Sequence, residues 1–483
     1  MKQRLRQFNK LLQFFVKIDR ETTMKHIMKI LCAAAVCVLG ACSVANNDQK
    51  KYGGHGFDYM NGWSSTDFTG YHVYDGEKLA VLDHEASLKI DDPARMPVLD
   101  GAEACYPLYA AAAKAVYTDI GKLEDEYRKK EDPYENGKIV TFTNTLRAYD
   151  RLISHQADIV IAARPSAGQK DIARNAIEQI RTVPIAQEAF VFFVEEDNPV
   201  EDLSAEQIRQ IYSGEITNWK EVGGKDQKIT AFQRPEDSGS QVMMKYFMGD
   251  TPLMKPKTFE MVSAMGGVIE QVAQYHNEAG ALGYTFRYFL TGLQQEKHVK
   301  ILKINGIEPT AETIRNGQYP AIANVVAATL VSNDDPDVRA MVEFFLSEDG
   351  QELAEKTGYA ALNDPVYEEH IENELPAVDV CQSTSSPRYI TVNAENQWTA
   401  KYTDAQGHTH NGAWSYYGQE MTVEEIRGHY SMYYENEGRR GEIILNYDNG
   451  VFTVDGYLDM ESNYSMTKTM EEMPDPGEQF VLK

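Results

Sequence analysis

Cysteine is scarce, with 5 in 483 residues, and no Cys-x-x-Cys or His/Cys cluster is present. That excludes a zinc ribbon, a thioredoxin-like redox pair and a small disulfide-stapled scaffold. Basic charge is short as well: 47 Lys+Arg stand against 73 Asp+Glu, a formal charge of -26. A protein that tracks a polyphosphate backbone carries a basic face, so nucleic acid is not an expected partner. Any small anion has to be held by local donors against the field of the whole chain. The sequence lacks G-x-S-x-G, Walker, H-E-x-x-H and kinase patterns, so no enzyme activity, metal or cofactor is expected. What is present is an ordinary globular balance, 42% hydrophobic and 25% charged, in a chain too long for one core.

The N-terminus reads as an address. The apolar run Ile30–Gly40 follows Lys25 and Lys29 and is too short to cross a bilayer as a helix. It suits the core of a signal peptide. The run leads into Leu39-Gly40-Ala41-Cys42, which resembles a bacterial lipobox, so Cys42 is the expected lipidation site and residues 1–41 the removed signal. The alternative is an ordinary secretory signal with a chance Cys. Met24 offers a second start, because Met24 onward makes a complete signal of normal length. Of the cysteines beyond Cys42, Cys105 and Cys381 fit a bonded pair and two separate thiols equally well.

Further along, residues 42–95 read as a tether and an extension that packs on the main body, with strand-like runs at 71–74 and 78–82. From Met96 the texture is α/β. Strands are expected at 96–99, 139–142 and 158–163, and helices at 106–117 and 145–154, an order that implies a parallel sheet. The apolar stretch 183–194 is long enough to pass between lobes; Glu188 within it is either a buried charge or a strand residue facing solvent. Ser204 is a plausible N-cap for a helix at 205–212. Strands follow at 229–233, 280–284, 299–304 and 323–331, and helices at 238–248, 267–277 and, as one long element, 336–356. The expected fold is a two-lobed α/β body with a cleft. Lobe 1 comprises residues 96–183 and 281–365, lobe 2 comprises 184–280, and hinges lie near Pro184–Glu188 and Ala279–Gly283. Residues 366–483 form a separate, mainly β domain rich in aromatic and acidic residues. Its strands are expected at 389–392, 397–402, 441–447 and 451–454, with Asp448-Asn449-Gly450 as a hairpin turn. Two features there have bland readings beside functional ones. His408, His410 and His429 lack a convergent ligand set for a metal, and the Tyr416-Tyr417 and Tyr433-Tyr434 pairs suit a packed sheet as well as a binding face.

Three strand-to-helix turns carry chemistry. In Arg234-Pro235-Glu236-Asp237-Ser238-Gly239-Ser240, Ser238 can cap the helix, and the N–H groups of its first turn favour an anion. Arg234 adds a guanidinium fork suited to tetrahedral oxyanions; alternatively it pairs with Glu236. Thr143-Asn144-Thr145 offers two hydroxyls at another helix start, and Asp100-Gly101-Ala102-Glu103-Ala104 follows a third strand. Such turns aimed at one crevice are where open α/β sheets bind ligands.

From about Met96 to Asn363 the chain resembles the phosphate-binding, PstS-like members of the periplasmic binding proteins. The segments that carry the resemblance are Ile211-Tyr212-Ser213-Gly214-Glu215-Ile216-Thr217-Asn218-Trp219, the Arg234–Ser240 turn and Gly280-Ala281-Leu282-Gly283-Tyr284. The resemblance implies a type II-like, hinge-closing fold that captures phosphate or a similar oxyanion and presents it to an ABC permease. It carries the anion grip to Arg234, Ser238, Gly239 and Ser240, with Thr143, Asn144 and Thr145 in the second loop and Ala102 in the first. The sequence departs from the family in two places. Glu103 and Ala104 stand where a Ser or Thr is usual, and Ala163-Arg164 stands where an Asp accepts the proton of hydrogen phosphate. Glu103 is the expected replacement acceptor and Arg164 an added donor; the alternative is a Glu103–Arg164 ion pair at the rim. A second functional reading is a surface lipoprotein that uses the lobes as scaffold and the C-terminal domain for interaction. Ser43, which follows the lipidated Cys, bears on that reading through membrane sorting. An enzyme acting on phosphate esters has no visible nucleophile or metal set.

Overall fold

The computed structural model describes residues 66–130, 137–256, 268, 269, 272, 280–295 and 297–395, and strand segments between 400 and 482. Cys42, the signal and most of the expected helix at 267–277 lie outside the described residues. No described helix is long and apolar enough to cross a membrane.

The α/β body runs β1 (Leu99–Gly101), α1 (Tyr106–Val116), α2 (Ile120–Lys130), α3 (Asn144–Ile153), β2 (Ile159–Ala162), α4 (Ala167–Asn175) and β3 (Ile180–Glu195). It continues with β4 (Asp202–Leu203), α5 (Ala205–Ser213), β5 (Thr230–Ala231), α6 (Gly239–Met248), β6 (Ala281–Phe286), β7 (Val299–Ile301), β8 (Lys303–Ile304) and α7 (Ala311–Arg315). It closes with β9 (Ile322–Leu330), α8 (Pro336–Leu346), α9 (Glu348–Thr357) and β10 (His370–Ile371). Eight strands form one sheet with the main order β1-β2-β9-β3-β6-β5. The strands expected in parallel order do pair so, β1 with β2 and Leu99 with Val140, but the sheet as a whole is mixed. Only β1–β2 and β5–β6 pair in parallel, whereas β3 pairs antiparallel with both β9 and β6. The cause is that the chain passes between halves of the molecule along continuous strands, not through helical crossovers.

Two hydrophobic cores flank that crossing. The first holds Val183, Ile185 and Ala186 of β3 with the alanine face of α1; the second takes over at Ala189 and holds Phe190 to Val194. The β3–β9 register shifts between Pro184 and Ala186, next to a residue that has no N–H to give a ladder. Residues 281–321, expected in lobe 1, supply Leu282, Tyr284, Phe289 and Ile314 to the second core. The return runs along β9, where Ala323 belongs to the second core and Val325 to the first. The long helix expected over 336–356 is two helices, because Ser347 adopts an extended backbone (φ -69°, ψ 168°) and caps α9 through the Gly350 N–H. The expected strand at 139–142 is reduced to a single bridge between Val140 and Leu99.

The extension at 66–95 packs on the first core through Phe68, Val73, Leu79, Leu82 and Ile90. Neither of its runs forms a strand: 71–74 is a turn, and 78–82 is bend and irregular backbone. His72 O accepts from both Asp75 N and Gly76 N, closing the chain on itself.

Beyond β10 lies a ten-stranded antiparallel sheet that begins with β11 (Val378–Ser383), β12 (Tyr389–Asn393) and β13 (Ala400–Thr403). Asp448 pairs with Val451 across the expected hairpin, whose tip residues 449 and 450 lie outside the described ones. The side chains of His410, His429 and the paired tyrosines also lie outside them, as does His408. The sheet is fastened to the first lobe by charge. Arg174 holds Glu395 with two bonds of 2.5 and 2.6 Å, and Lys401 pairs with buried Glu178, which also meets His155 at 2.9 Å. Cys105 and Cys381 are buried, separate thiols.

Candidate functional site

Asp100 organises the first two turns. Its carboxylate, wholly buried in the middle of β1, accepts from Gly101 N (2.7 Å), Thr143 N (2.8 Å), Thr143 Oγ1 (2.8 Å) and Arg151 Nη1 (2.7 Å). Burial pushes its pKa up, opposed by Arg151 and by the bonds from Thr143 and Gly101. The Thr143 hydroxyl therefore gives its proton to Asp100, which corrects its expected role as an anion donor. Asn144 then takes a left-handed backbone (φ 65°), which Asn tolerates, and starts α3. Thr145 follows, buried.

The third turn is built on Tyr284. Arg234 N donates to Tyr284 Oη at 2.9 Å and to Gln241 Oε1 at 3.2 Å, and Tyr284 bonds the same Gln241 oxygen. Ser238 caps α6 by accepting from Gln241 N at 3.3 Å. Arg234, Ser238 and Ser240 are all buried, and Ser240 Oγ has no hydrogen-bond partner among the described residues. Glu236 pairs with Lys245.

The turns converge. A cleft with about 360 Å³ of empty space, part of it open to solvent, is lined by Ala102, Thr145, Ala163, Glu188, Gly239 and Asn324 among others. Gly239 comes close to the facing wall. A Cβ on Gly239 would sit 2.9 Å from Thr145 Oγ1 and 3.6 Å from the Ala163 Cβ. The short 3-10 turn Glu103–Cys105 that follows Ala102 and the first turns of α3 and α6 thus face one space, where the dipoles of α3 and α6 favour negative charge.

Residues 104–349 match the PBP superfamily domain. The chain is similar to the phosphate-binding protein PstS of Borreliella burgdorferi, 30% identical over 204 residues, which are 40% of this chain and 70% of that protein. This chain is a PstS-like member of the PBP superfamily. It is also similar to a PstS of Staphylococcus epidermidis, 27% identical over 278 residues, 55% of this chain and 82% of that one. Among solved structures, an ABC-type phosphate transport receptor from Vibrio cholerae aligns over 55% of this chain and 98% of its own, at 22% identity and a TM-score of 0.39.

In this PstS-like chain two of the segments that carry the resemblance are core. Trp219 Nε1 donates to Gly280 O at 3.1 Å, and the Tyr212 and Tyr284 rings meet at 5.6 Å, so these segments hold β6 beneath the Arg234 turn. The two departures from the family resolve differently from expectation. Arg164 Nε bonds Glu372 at 2.6 Å, a carboxylate that also holds Lys170 at 2.8 Å and Thr182 at 2.7 Å. Arg164 is thereby drawn toward the C-terminal side and makes no rim pair with Glu103. Glu103 is buried and bonded to Thr66, whose hydroxyl also accepts from Gln294 Nε2 at 2.7 Å. The carboxylate that does line the cleft is Glu188. It accepts from Ala189 N at 2.8 Å and Tyr288 N at 2.9 Å, with Arg287 Nε 3.5 Å away. Burial raises its pKa to about 7 against the opposing pull of Arg287 and the backbone. Asp100, Tyr284 and Gln241 were not singled out in the sequence as site-building residues. A Tyr closing the Gly-Ala-Leu-Gly-Tyr segment was the available signal for one of them. No group of His, Cys, Asp or Glu among the described residues could hold a metal.

Proposed function

We propose that this chain is an extracytoplasmic solute-binding protein that captures phosphate, or a closely similar tetrahedral oxyanion, between its lobes and delivers it to an ABC permease. The observation that carries the reading is the meeting of Ala102, Thr145 and Gly239 around one cleft beside the buried Arg234 turn. The relatives named phosphate-binding proteins support it. The contact set is Ala102, Asn144, Thr145, Arg234, Ser238, Gly239 and Ser240. Ser238 accepts the Gln241 N–H with its lone pair, which leaves its own proton for the anion. Ser240 Oγ would gain a partner on binding. Charge-assisted bonds contribute roughly 1.5–3 kcal/mol each, so a handful can offset the desolvation of the ion. Cys42 would tether the protein to the membrane by a lipid.

Titration calorimetry with phosphate, sulfate, arsenate and molybdate tests the reading. Phosphate should bind the wild type, and Arg234→Ala should abolish measurable binding. A wild type that takes up no phosphate at millimolar concentration refutes it. A second reading, a surface lipoprotein acting through its C-terminal sheet, is favoured by the fastening of that sheet to the first lobe. It predicts a protein partner that survives Arg234→Ala in a pull-down.

A further inference from the structure

At the start of α4, outside the anion cleft, a side-chain hydrogen bond joins the two lobes directly. Ser166 Oγ, in the first lobe, donates to Asp237 Oδ1, in the second, at 2.6 Å. We propose that Ser166 and Asp237 form a latch that holds the lobes together whether or not an anion is bound. The inference deepens the solute-binding reading, and only its rate arm rests on that reading.

The two partners are prepared separately. Ser166 is the N-cap of α4 in a complete capping box: its Oγ accepts from Gln169 N at 3.0 Å, and its N–H donates to Gln169 Oε1 at 2.8 Å. A serine hydroxyl has one proton, and capping does not use it. Closure therefore gains a bond and takes none from α4. Asp237 sits in a left-handed backbone (φ 64°) in the Arg234–Ser240 turn, a conformation that Asp tolerates and that brings its carboxylate to the start of α4. The first turn of α4 makes room for it, since a Cβ on Gly168 would lie 3.0 Å from Asp237 Oδ1. The carboxylate of one lobe thus completes the helix N-terminus of the other, where the dipole favours negative charge.

The latch is continuous with the cleft. Gln169 Nε2 donates to Thr145 O at 3.3 Å, and Asp237 is two residues from Gly239, which approaches Thr145 from the other side. Release of Ser166 from Asp237 therefore loosens both walls of the anion site. Asp150 opposes the latch: its pKa is raised first by burial and then by Asp237, with Arg147 pulling it back.

A charge-reversal series on the full chain tests this. Ser166→Asp keeps a good N-cap but sets two carboxylates against each other. Adding Asp237→Asn supplies an amide donor that tolerates the same backbone and can bond the carboxylate introduced at 166. The first readout is hydrogen exchange of the Thr145, Gly239 and Ser240 amides in ligand-free protein. Exchange should quicken about tenfold or more in Ser166→Asp, the factor set by one charge-assisted bond, and return to within about twofold of wild type in the double variant. Asp237→Asn alone leaves the Ser166 cap untouched and should give a smaller acceleration, which keeps the test valid if Ser166→Asp misfolds. The second readout is stopped-flow release of inorganic phosphate, whose off-rate should rise by a similar factor while the on-rate holds. Unchanged exchange in Ser166→Asp and Asp237→Asn, or a double variant no slower than Ser166→Asp, overturns the latch. A wild type that binds no phosphate overturns the transport reading instead, and the exchange readout still decides the latch.

Discussion

Gly239→Ala should separate lobe closure from folding. The glycine is the first residue of α6, and an added methyl would lie 2.9 Å from Thr145 Oγ1 and 3.6 Å from Ala163 Cβ, both on the facing wall of the cleft. The oxygen is too close for a carbon contact, and Thr145 is a buried, β-branched residue with little rotamer freedom. Relief requires Thr145 to leave its rotamer or the lobes to part. Overpacking of this kind costs about 1–3 kcal/mol, which weakens phosphate binding by about 5- to 150-fold. The fold can escape the clash by opening. Ala is also the better helix residue, by up to about 1 kcal/mol. The melting temperature of the ligand-free variant should therefore hold or rise while calorimetric affinity falls. In a Thr145→Ala background the obstructing oxygen is gone, so the penalty from Gly239→Ala should disappear; the double-mutant cycle isolates that contact. Affinity within twofold of wild type, or an equal penalty in both backgrounds, would show that Gly239 is not where the walls meet.

Other outcomes follow from buried charge. Asp100→Asn leaves Arg151 without its carboxylate and gives the Thr143 turn a weaker acceptor. A loss of about 3–5 kcal/mol is expected, or roughly 6–20 °C in calorimetric melting for lobes of this size; a change below one degree would remove Asp100 as organiser. Glu188 has a folded pKa raised to about 7, so the fold holds its proton more tightly than the unfolded chain does. Its contribution to stability therefore declines as pH rises from the ordinary carboxylate range through about 7. Below that pH the protonated group can donate to an acceptor-only anion. Sulfate should accordingly compete better against phosphate at pH 6 than at pH 8, and Glu188→Gln should flatten the difference; equal competition at both values refutes the role. Glu178 behaves oppositely. Burial alone would raise its pKa, but His155, Lys401 and Ser332 together hold it below the usual range. Its stabilisation is present above the unfolded carboxylate pKa and is lost as pH falls through the lower folded one. Lys401→Met, read by hydrogen exchange across β12 and β13 at neutral pH, should loosen the C-terminal sheet while phosphate affinity stays within twofold. Unchanged exchange would show that the pair does not fasten the sheet.

Much of this was legible in the chain because the informative features are local. Ser204 and Ser238 read as N-caps from their neighbours alone, and both cap helices as expected. The Arg234–Ser240 turn declared itself by residue type. Features that depend on distant partners did not. Asp100 gathers Thr143 and Arg151, which are 43 and 51 residues away, and nothing beside Asp100 announces either. Arg164 looked like a site donor because Glu372, its actual partner, comes 208 residues later. Helix α4 was missed because its apolar face is thin, although Ser166 and Gln169 form a readable capping box. That residues 281–321 feed the second core is not readable at Gly280, because a strand returning to the sheet reads the same whichever core it feeds.

The fastening of the C-terminal sheet has a mechanical consequence. Arg174–Glu395 and Lys401–Glu178 both end on the first lobe, at α4 and just after it. If the lobes close on a solute as proposed, sheet and first lobe would move as one heavy block, with the second lobe as the lighter jaw. A partner docked on that block would keep a constant footprint through opening and closing, and only one that also reaches the jaw would sense whether the mouth is shut.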